Sequence, residues 1–349
     1  MKFKKTFLVL CVIICLFCMA SAYAGDMNDT AISDEDINQS DSFPMDEEMM
    51  DTMDIEAFQT SQNNLAESSA STSEDDGYVH IYVNASASLP GNGTKEAPYQ
   101  NLSSVNHELR DKTVLHIANG YYFYNDSDSH RIQAFADLKV IGESAENTTI
   151  DFCGEGIFAF VEWTPYLYFE NIRLFNTSAN LISYNKQGSY GGKLEAVNVT
   201  FENSKSIASN GEYYIGGAIS CSGQLELTNC IFKNNSAERG GAVFALIGGE
   251  INNCTFIDNI ASEEGGAIFA SSQEMNIFDS LFINNTALDG GGAIYTMVNL
   301  SIYHSDFEGN HAVYGGAITS VQSQYFYLDD VNFINDSADS SAGAIYSKL

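Results

Sequence analysis

A tetrapeptide, Gly-Gly-Ala-aliphatic, ends at Ile219, Val243, Ile268, Ile294 and Ile318, and a worn copy, Ala342-Gly343-Ala344-Ile345, follows. Its alanines are 24, 25, 26, 24 and 27 residues apart. A second marker, Phe-x-x-Asn, keeps the same period at Phe232/Asn235, Phe256/Asn259, Phe282/Asn285 and Phe307/Asn310, with Phe333/Asp336 as a variant. Two markers sharing one period define internal repeats. The period is too short for paired-helix repeats and too long for hexapeptide coils. Segments between the markers, such as Leu225-Glu226-Leu227 and Leu300-Ser301-Ile302, alternate with period two, which specifies strands. Such a repeat accommodates three short strands and three corners, one coil of a parallel β-helix. The chain is therefore expected to be all-β: a right-handed parallel β-helix of about nine coils, roughly 40 Å long at about 4.8 Å per coil.

Each marker has a task in such a coil. Gly-Gly permits a sharp corner with positive φ, and the following Ala and Ile supply small and branched side chains to the next strand. Phe232, Phe256, Phe282, Phe307 and Phe333 are expected to stack as one interior column. Asn235, Asn259, Asn285 and Asn310 are expected at a second corner, tolerating left-handed dihedrals and bonding to the coils above and below. A further column stands three residues before each aromatic or aliphatic core position: Asn171, Asn198, Asn229, Asn253, Asp279, His304 and Asp330. The next residues, Val199, Cys230, Cys254, Ser280, Ser305 and Val331, are all small, which argues for an inward site under close packing.

Outside the repeats, Lys2, Lys4 and Lys5 precede an apolar run from Phe7 to Ala20 and a small-x-small site at Ala22-Tyr23-Ala24, so residues 1–24 read as a signal peptide. Residues 25–77 are acidic and polar, with no Lys or Arg, and read as a disordered stalk. No later segment is apolar enough to span a membrane. Residues 78–112 are expected to form an N-terminal cap: a strand at Tyr78–Val83, then a short helix with Leu102, Val105 and Leu109 on its inner side. Residues 113–349 supply the coils. No polar C-terminal cap follows the last Ala-Ile, which leaves strand edges able to pair end to end with another copy. The net charge of −31 repels nucleic acid.

GGA[IV] paired with F-x-x-N resembles the repeat of polymorphic outer-membrane proteins and of the adhesin-like surface proteins of methanogenic archaea. Tyr82-Val83-Asn84-Ala85-Ser86, Ala97-Pro98-Tyr99-Gln100-Asn101-Leu102-Ser103, Ile117-Ala118-Asn119-Gly120-Tyr121 and Val140-Ile141-Gly142-Glu143 are similar to the opening of their pectate-lyase-like domains. The resemblance covers roughly Tyr78 to Leu349. It implies adhesion at the cell surface, with no catalytic residues and no cofactor to carry over.

Because the same fold hosts polysaccharide lyases and hydrolases, chemistry has to be sought separately. The bases Lys205, Lys233, Arg239 and Lys348 share no coil position, and Asp329-Asp330 point to opposite faces of a strand. A non-enzyme is expected, with an enzyme or a purely structural envelope component as the alternatives. Asp279, His304 and Asp330 form either a metal site or a continuation of the Asn column, and the column is preferred because stacked positions stand too far apart to converge on one ion. Cys230 and Cys254 share one slot and read as buried thiols, with a disulfide as the alternative. Candidate binding residues are Tyr213 and Tyr214 on the long Ser204–Ile215 loop, Trp163 and Tyr166, and Tyr325 and Tyr327. The expected partner is a glycan or protein of another cell.

Overall fold

The computed structural model describes residues 76–348, apart from 89–90, 106–107, 125–131, 155–158, 162–165, 178–181, 185–191 and 207–214. The signal peptide and nearly all of the stalk expected from the sequence lie outside the described residues. What remains is the expected all-β architecture, a parallel β-solenoid of about eight turns.

Three sheets run along the solenoid, with 15, 10 and 5 strands, and every strand pairing is parallel. One coil shows the plan. From the Gly240-Gly241 corner the chain enters the second sheet at Val243–Ala245, then the first sheet at Gly249–Asn252. It bends at Asn253, continues in the first sheet at Thr255–Ile257, turns at Asp258, and crosses the third sheet at Ile260–Ala261 before Gly265-Gly266. Inward positions alternate with outward ones in each strand, as in Gln224–Thr228, where Leu225 and Leu227 are buried.

The phenylalanine column forms as expected. Phe201, Phe232, Phe256, Phe282 and Phe307 are fully buried, with successive ring centroids 4.8, 4.8, 4.8 and 4.6 Å apart, and Phe333 continues the stack at 5.1 Å. Strand pairing extends the same column upward through Leu174, Ile150 and Tyr122.

The two glycines of the repeat do different work. The first has positive φ, for instance +61° at Gly240 and +68° at Gly265, so a side chain there is strained. The second has no such φ, but a Cβ on Gly241 would stand 2.1 Å from the carbonyl oxygen of Gly266 in the next coil. Backbones stack too closely at this corner for any side chain.

The asparagine reading is corrected in one respect. Asn235, Asn259, Asn285 and Asn310 are buried and laddered, but the left-handed residue is the one before them: Asn234, Asp258, Asn284 and Gly309. That preceding residue makes the turn and frees the asparagine to face inward. Asn259 Nδ2 then donates to the Phe232 carbonyl at 3.0 Å and to Asn285 Oδ1 at 2.9 Å, while its Oδ1 accepts from the Asn235 backbone N–H and Nδ2. Every polar atom of a buried amide is satisfied by its neighbours in the stack.

The small inward column forms a second ladder. The Cys230 backbone N–H donates to Cys254 Sγ at 3.4 Å, that of Cys254 to Ser280 Oγ at 3.1 Å, and that of Ser280 to Ser305 Oγ at 3.0 Å. These N–H groups lie at the bend between the two halves of the first sheet, and a small side chain bearing a lone pair serves them. Both cysteines are free and buried, and burial raises the Cys254 thiol well above its ordinary range.

The capping helix is a second correction. Leu102–Ser104 is a single 3-10 turn, and Glu108–Leu109 is a strand pairing with Ile132–Ala134. Leu102, Val105 and Leu109 are all buried, so their inward spacing is real; a turn followed by a strand provides it. The strand Val79–Val83 begins the first sheet by pairing with Thr113–Ile117.

Candidate functional site

Tyr166, Tyr325 and Tyr327, candidates that the sequence places in separate sets, lie on the outer face of the first sheet. Strand register stacks Tyr168, Glu195, Glu226, Glu250, Asn276, Ser301 and Tyr327 in one outward row. The adjacent row begins Tyr166, Lys193, Gln224. It continues one residue ahead of the paired Gly249, Met275, Leu300 and Phe326, through Gly248, Glu274, Asn299 and Tyr325. Tyr166 and Tyr325, 159 positions apart in the chain, thus bracket one strip. Six coil steps separate the two tyrosine pairs, about 29 Å at about 4.8 Å per step.

Both ends of the strip are anchored. Tyr166 and Tyr168 stack at 6.1 Å, with hydroxyls donating to Glu195 at 2.9 Å and Glu170 at 3.0 Å. Burial, followed by the neighbouring carboxylates, raises the pKa of both phenols. At the other end, Tyr325 donates to Glu274 Oε1 at 2.6 Å and its backbone N–H to Asn299 Oδ1 at 3.1 Å. Tyr325 and Tyr327 remain 45% and 48% exposed, whereas Phe326 between them packs into the core, because neighbouring strand residues face opposite ways. Tyr327 also leans on Tyr303 at 5.5 Å, which stacks on Phe278 at 5.0 Å.

Between the tyrosines the strip is polar, with Glu195, Glu226, Glu250 and Glu274 against one lysine. Lys193 bridges Glu195 at 2.9 Å and Glu226. Burial works to lower the Lys193 pKa, but hydrogen bonds to Glu226 and Glu195 outweigh it and hold the ammonium protonated. In the middle of the strip one row carries no side chain, while Glu250 continues the other. Gly248, with φ +73°, occupies the row position between Gln224 and Glu274, and Gly249 takes the core slot held by Leu225 and Met275 in the flanking coils. The neighbouring coils close in on these glycines, since a Cβ on Gly248 or Gly249 would stand 2.1 Å from the carbonyl oxygen of Glu274 or Leu225. Beside them lies a notch of about 440 Å³ lined by Gly192, Gln224, Ile247, Gly249, Glu250, Gln273, Glu274 and Asn276.

Trp163, Tyr213 and Tyr214 lie outside the described residues. The residues Asp279, His304 and Asp330 are exposed and share the left-handed bend position of the half-buried Asn229 and Asn253. Asn253 Nδ2 donates to Asn229 Oδ1 at 2.7 Å, but His304 Nδ1 stands 3.6 Å from Asp279 Oδ1, an ion-pair distance, so the hydrogen-bonded ladder is interrupted there. Sequence reasoning missed Lys193, Glu226, Glu250 and Glu274, and also a second aromatic stack, Phe244, Phe269 and Tyr295, outside the second sheet. The available signal was their fixed offset from the core positions of each coil.

Three segments, residues 229–246, 253–271 and 279–297, match the Chlamydia polymorphic membrane protein repeat. A metabotropic glutamate receptor-like protein R of Dictyostelium discoideum is 31% identical over 136 residues, 38% of this chain. The chain spans only 8% of that relative's length. A rhamnogalacturonan lyase structure aligns over 73% of this chain and 74% of its own, at 11% identity and a TM-score of 0.38. That likeness is too slight to bear on function.

Proposed function

We propose that the chain is an exported adhesin-like surface protein, non-catalytic, whose rigid solenoid presents a binding face to a glycan or protein of another cell. The observation that carries this reading is the strip of the first sheet, in which polar side chains at one-coil spacing lie between two tyrosine pairs on a scaffold held by continuous buried ladders. Rigid platforms with exposed tyrosines bind at low entropic cost. The matched repeats, described for a polymorphic membrane protein, support placement at a cell surface. The non-catalytic reading is supported by Lys193, the one lysine or arginine in the two rows, which the carboxylates keep protonated and so unable to take a proton from a uronate.

The test is adhesion of cells to surfaces coated with the full chain or with its Tyr325→Ala/Tyr327→Ala variant. Adhesion to the wild type, reduced severalfold by the variant, is expected. Cleavage of acidic polysaccharides by the wild type would overturn the non-catalytic reading.

A further inference from the structure

Resting on the surface-recognition reading above, we infer that the notch at Gly248-Gly249 is a saccharide subsite that accepts one pyranose unit of a neutral glycan lying along the solenoid axis. The notch lies on the outer face beside Gly248-Gly249, between the coils that carry Gln224 and Glu274, and its walls are the side chains of those flanking coils. Its chemistry is that of hydroxyl recognition. The amides of Gln224, Gln273 and Asn276 can each donate and accept, and the carboxylates of Glu250 and Glu274 accept from hydroxyls. The exposed edge of Ile247, 9% of its surface, gives a small apolar patch on the floor of the notch.

Charge selects among sugars. No ion pair holds Glu250 or Glu274 among the described residues, so the notch keeps two negative charges at its rim. The chain as a whole carries −31. Uronates and other acidic sugars are repelled, which separates this subsite from that of an acidic-polysaccharide binder. Reach along the axis comes from Tyr325, whose hydroxyl is tied to Glu274 and whose exposed ring lies two coils from it in the same row. A sugar next in the chain can stack there while the first occupies the notch. The glycan thus needs more than one residue to bind measurably.

The experiment is calorimetric titration of the full chain with neutral hexose oligomers, N-acetylhexosamine oligomers and uronate oligomers, alongside the Asn276→Arg and Glu250→Ala variants. Both positions lie on the outer face, and circular dichroism verifies that the variants fold. Neutral oligomers should bind, monosaccharides at least tenfold more weakly, uronates not at all, and both variants should lose at least tenfold in affinity. Uronate binding equal to or tighter than neutral binding overturns the inference. So does neutral binding that both variants leave unchanged; if Tyr325→Ala then abolishes it, recognition by the strip stands and only the notch assignment falls. Cell adhesion without binding of any glycan overturns the subsite and leaves a protein receptor as the partner. Absence of both adhesion and glycan binding overturns the surface-recognition reading as well.

Discussion

Asp336 replaces asparagine in the buried ladder, and Asp336→Asn should stabilise the protein in a pH-dependent way. Asn310 donates to Asp336 Oδ1 through both its backbone N–H and Nδ2, each at 2.8 Å, so the accepting half of the ladder is intact. Asp336 Oδ2 is buried without a hydrogen-bond partner. In the same position, Asn235, Asn259, Asn285 and Asn310 use Nδ2 to donate to the carbonyls of Phe201, Phe232, Phe256 and Phe282. By that register Asp336 Oδ2 belongs opposite the Phe307 carbonyl, an acceptor that offers an ionised oxygen no proton. Burial raises the Asp336 pKa above its ordinary value, against the lowering pull of the Asn310 donors and the Ile334 backbone, and Glu308 adds repulsion. A raised carboxyl pKa in the fold means that the ionised form is penalised. The penalty is absent below the unfolded-state pKa of about 3.9 and complete above the folded-state pKa. Restoring a donor removes an unsatisfied buried atom, a gain of about 1–3 kcal/mol at neutral pH.

In a stacked solenoid that gain is local, so hydrogen exchange of the strands Phe326–Ile334 and Ser337–Ser341 is the appropriate assay. Corrected for intrinsic exchange, opening should be roughly 5- to 150-fold rarer in the variant at pH 7, and the two proteins should converge near pH 4. Equal protection at pH 7, or a difference that does not shrink as the pH falls, would refute the ladder argument.

Four further outcomes follow from the same geometry. Asn259→Ala leaves the Asn235 N–H without its partner and removes the Nδ2 donor from the Phe232 carbonyl and from Asn285 Oδ1, which keeps the backbone N–H of residue 259, and thermal or urea unfolding should show a loss of roughly 2–6 kcal/mol. Phe256→Ala opens a cavity in the middle of the aromatic column and should cost about 3–5 kcal/mol by urea unfolding. Gly241→Ala drives a Cβ into the Gly266 carbonyl despite an unstrained φ, and should cost more than about 4 kcal/mol, read as loss of cooperative unfolding. Burial, with help from Glu263 and Asp289 and against Arg239, pushes Glu264 up to about 7. Its ionisation penalty should therefore make stability fall as pH rises from about 4 to 7, and Glu264→Gln should flatten that slope in pH-dependent melting.

Much of the architecture was legible because translation along one axis is the only symmetry a solenoid has. Any residue recurring at the coil period must stack, so Phe232 to Phe333 could be placed in one column from spacing alone. The corner glycines were legible for the same reason, although spacing could not reveal that the first answers to φ and the second to a neighbouring backbone. Spacing also misassigned the left-handed turn, because Asn234 and Asn235 are both asparagine and only backbone geometry decides which of them turns.

The binding strip lay beyond counting. Coils before Ile219 differ in length, so Tyr166 and Tyr325 share no visible period; interstrand hydrogen bonds fix their register, whatever the number of residues in the intervening loops. The notch is a property of several coils at once, since Gln224, Glu250 and Glu274 line it together only because strand pairing sets them side by side. Sequence by itself determined that this chain winds into stacked parallel strands around a column of rings. Tertiary structure decided which outward side chains meet, because pairing between coils, and not distance along the chain, sets what stands next to what.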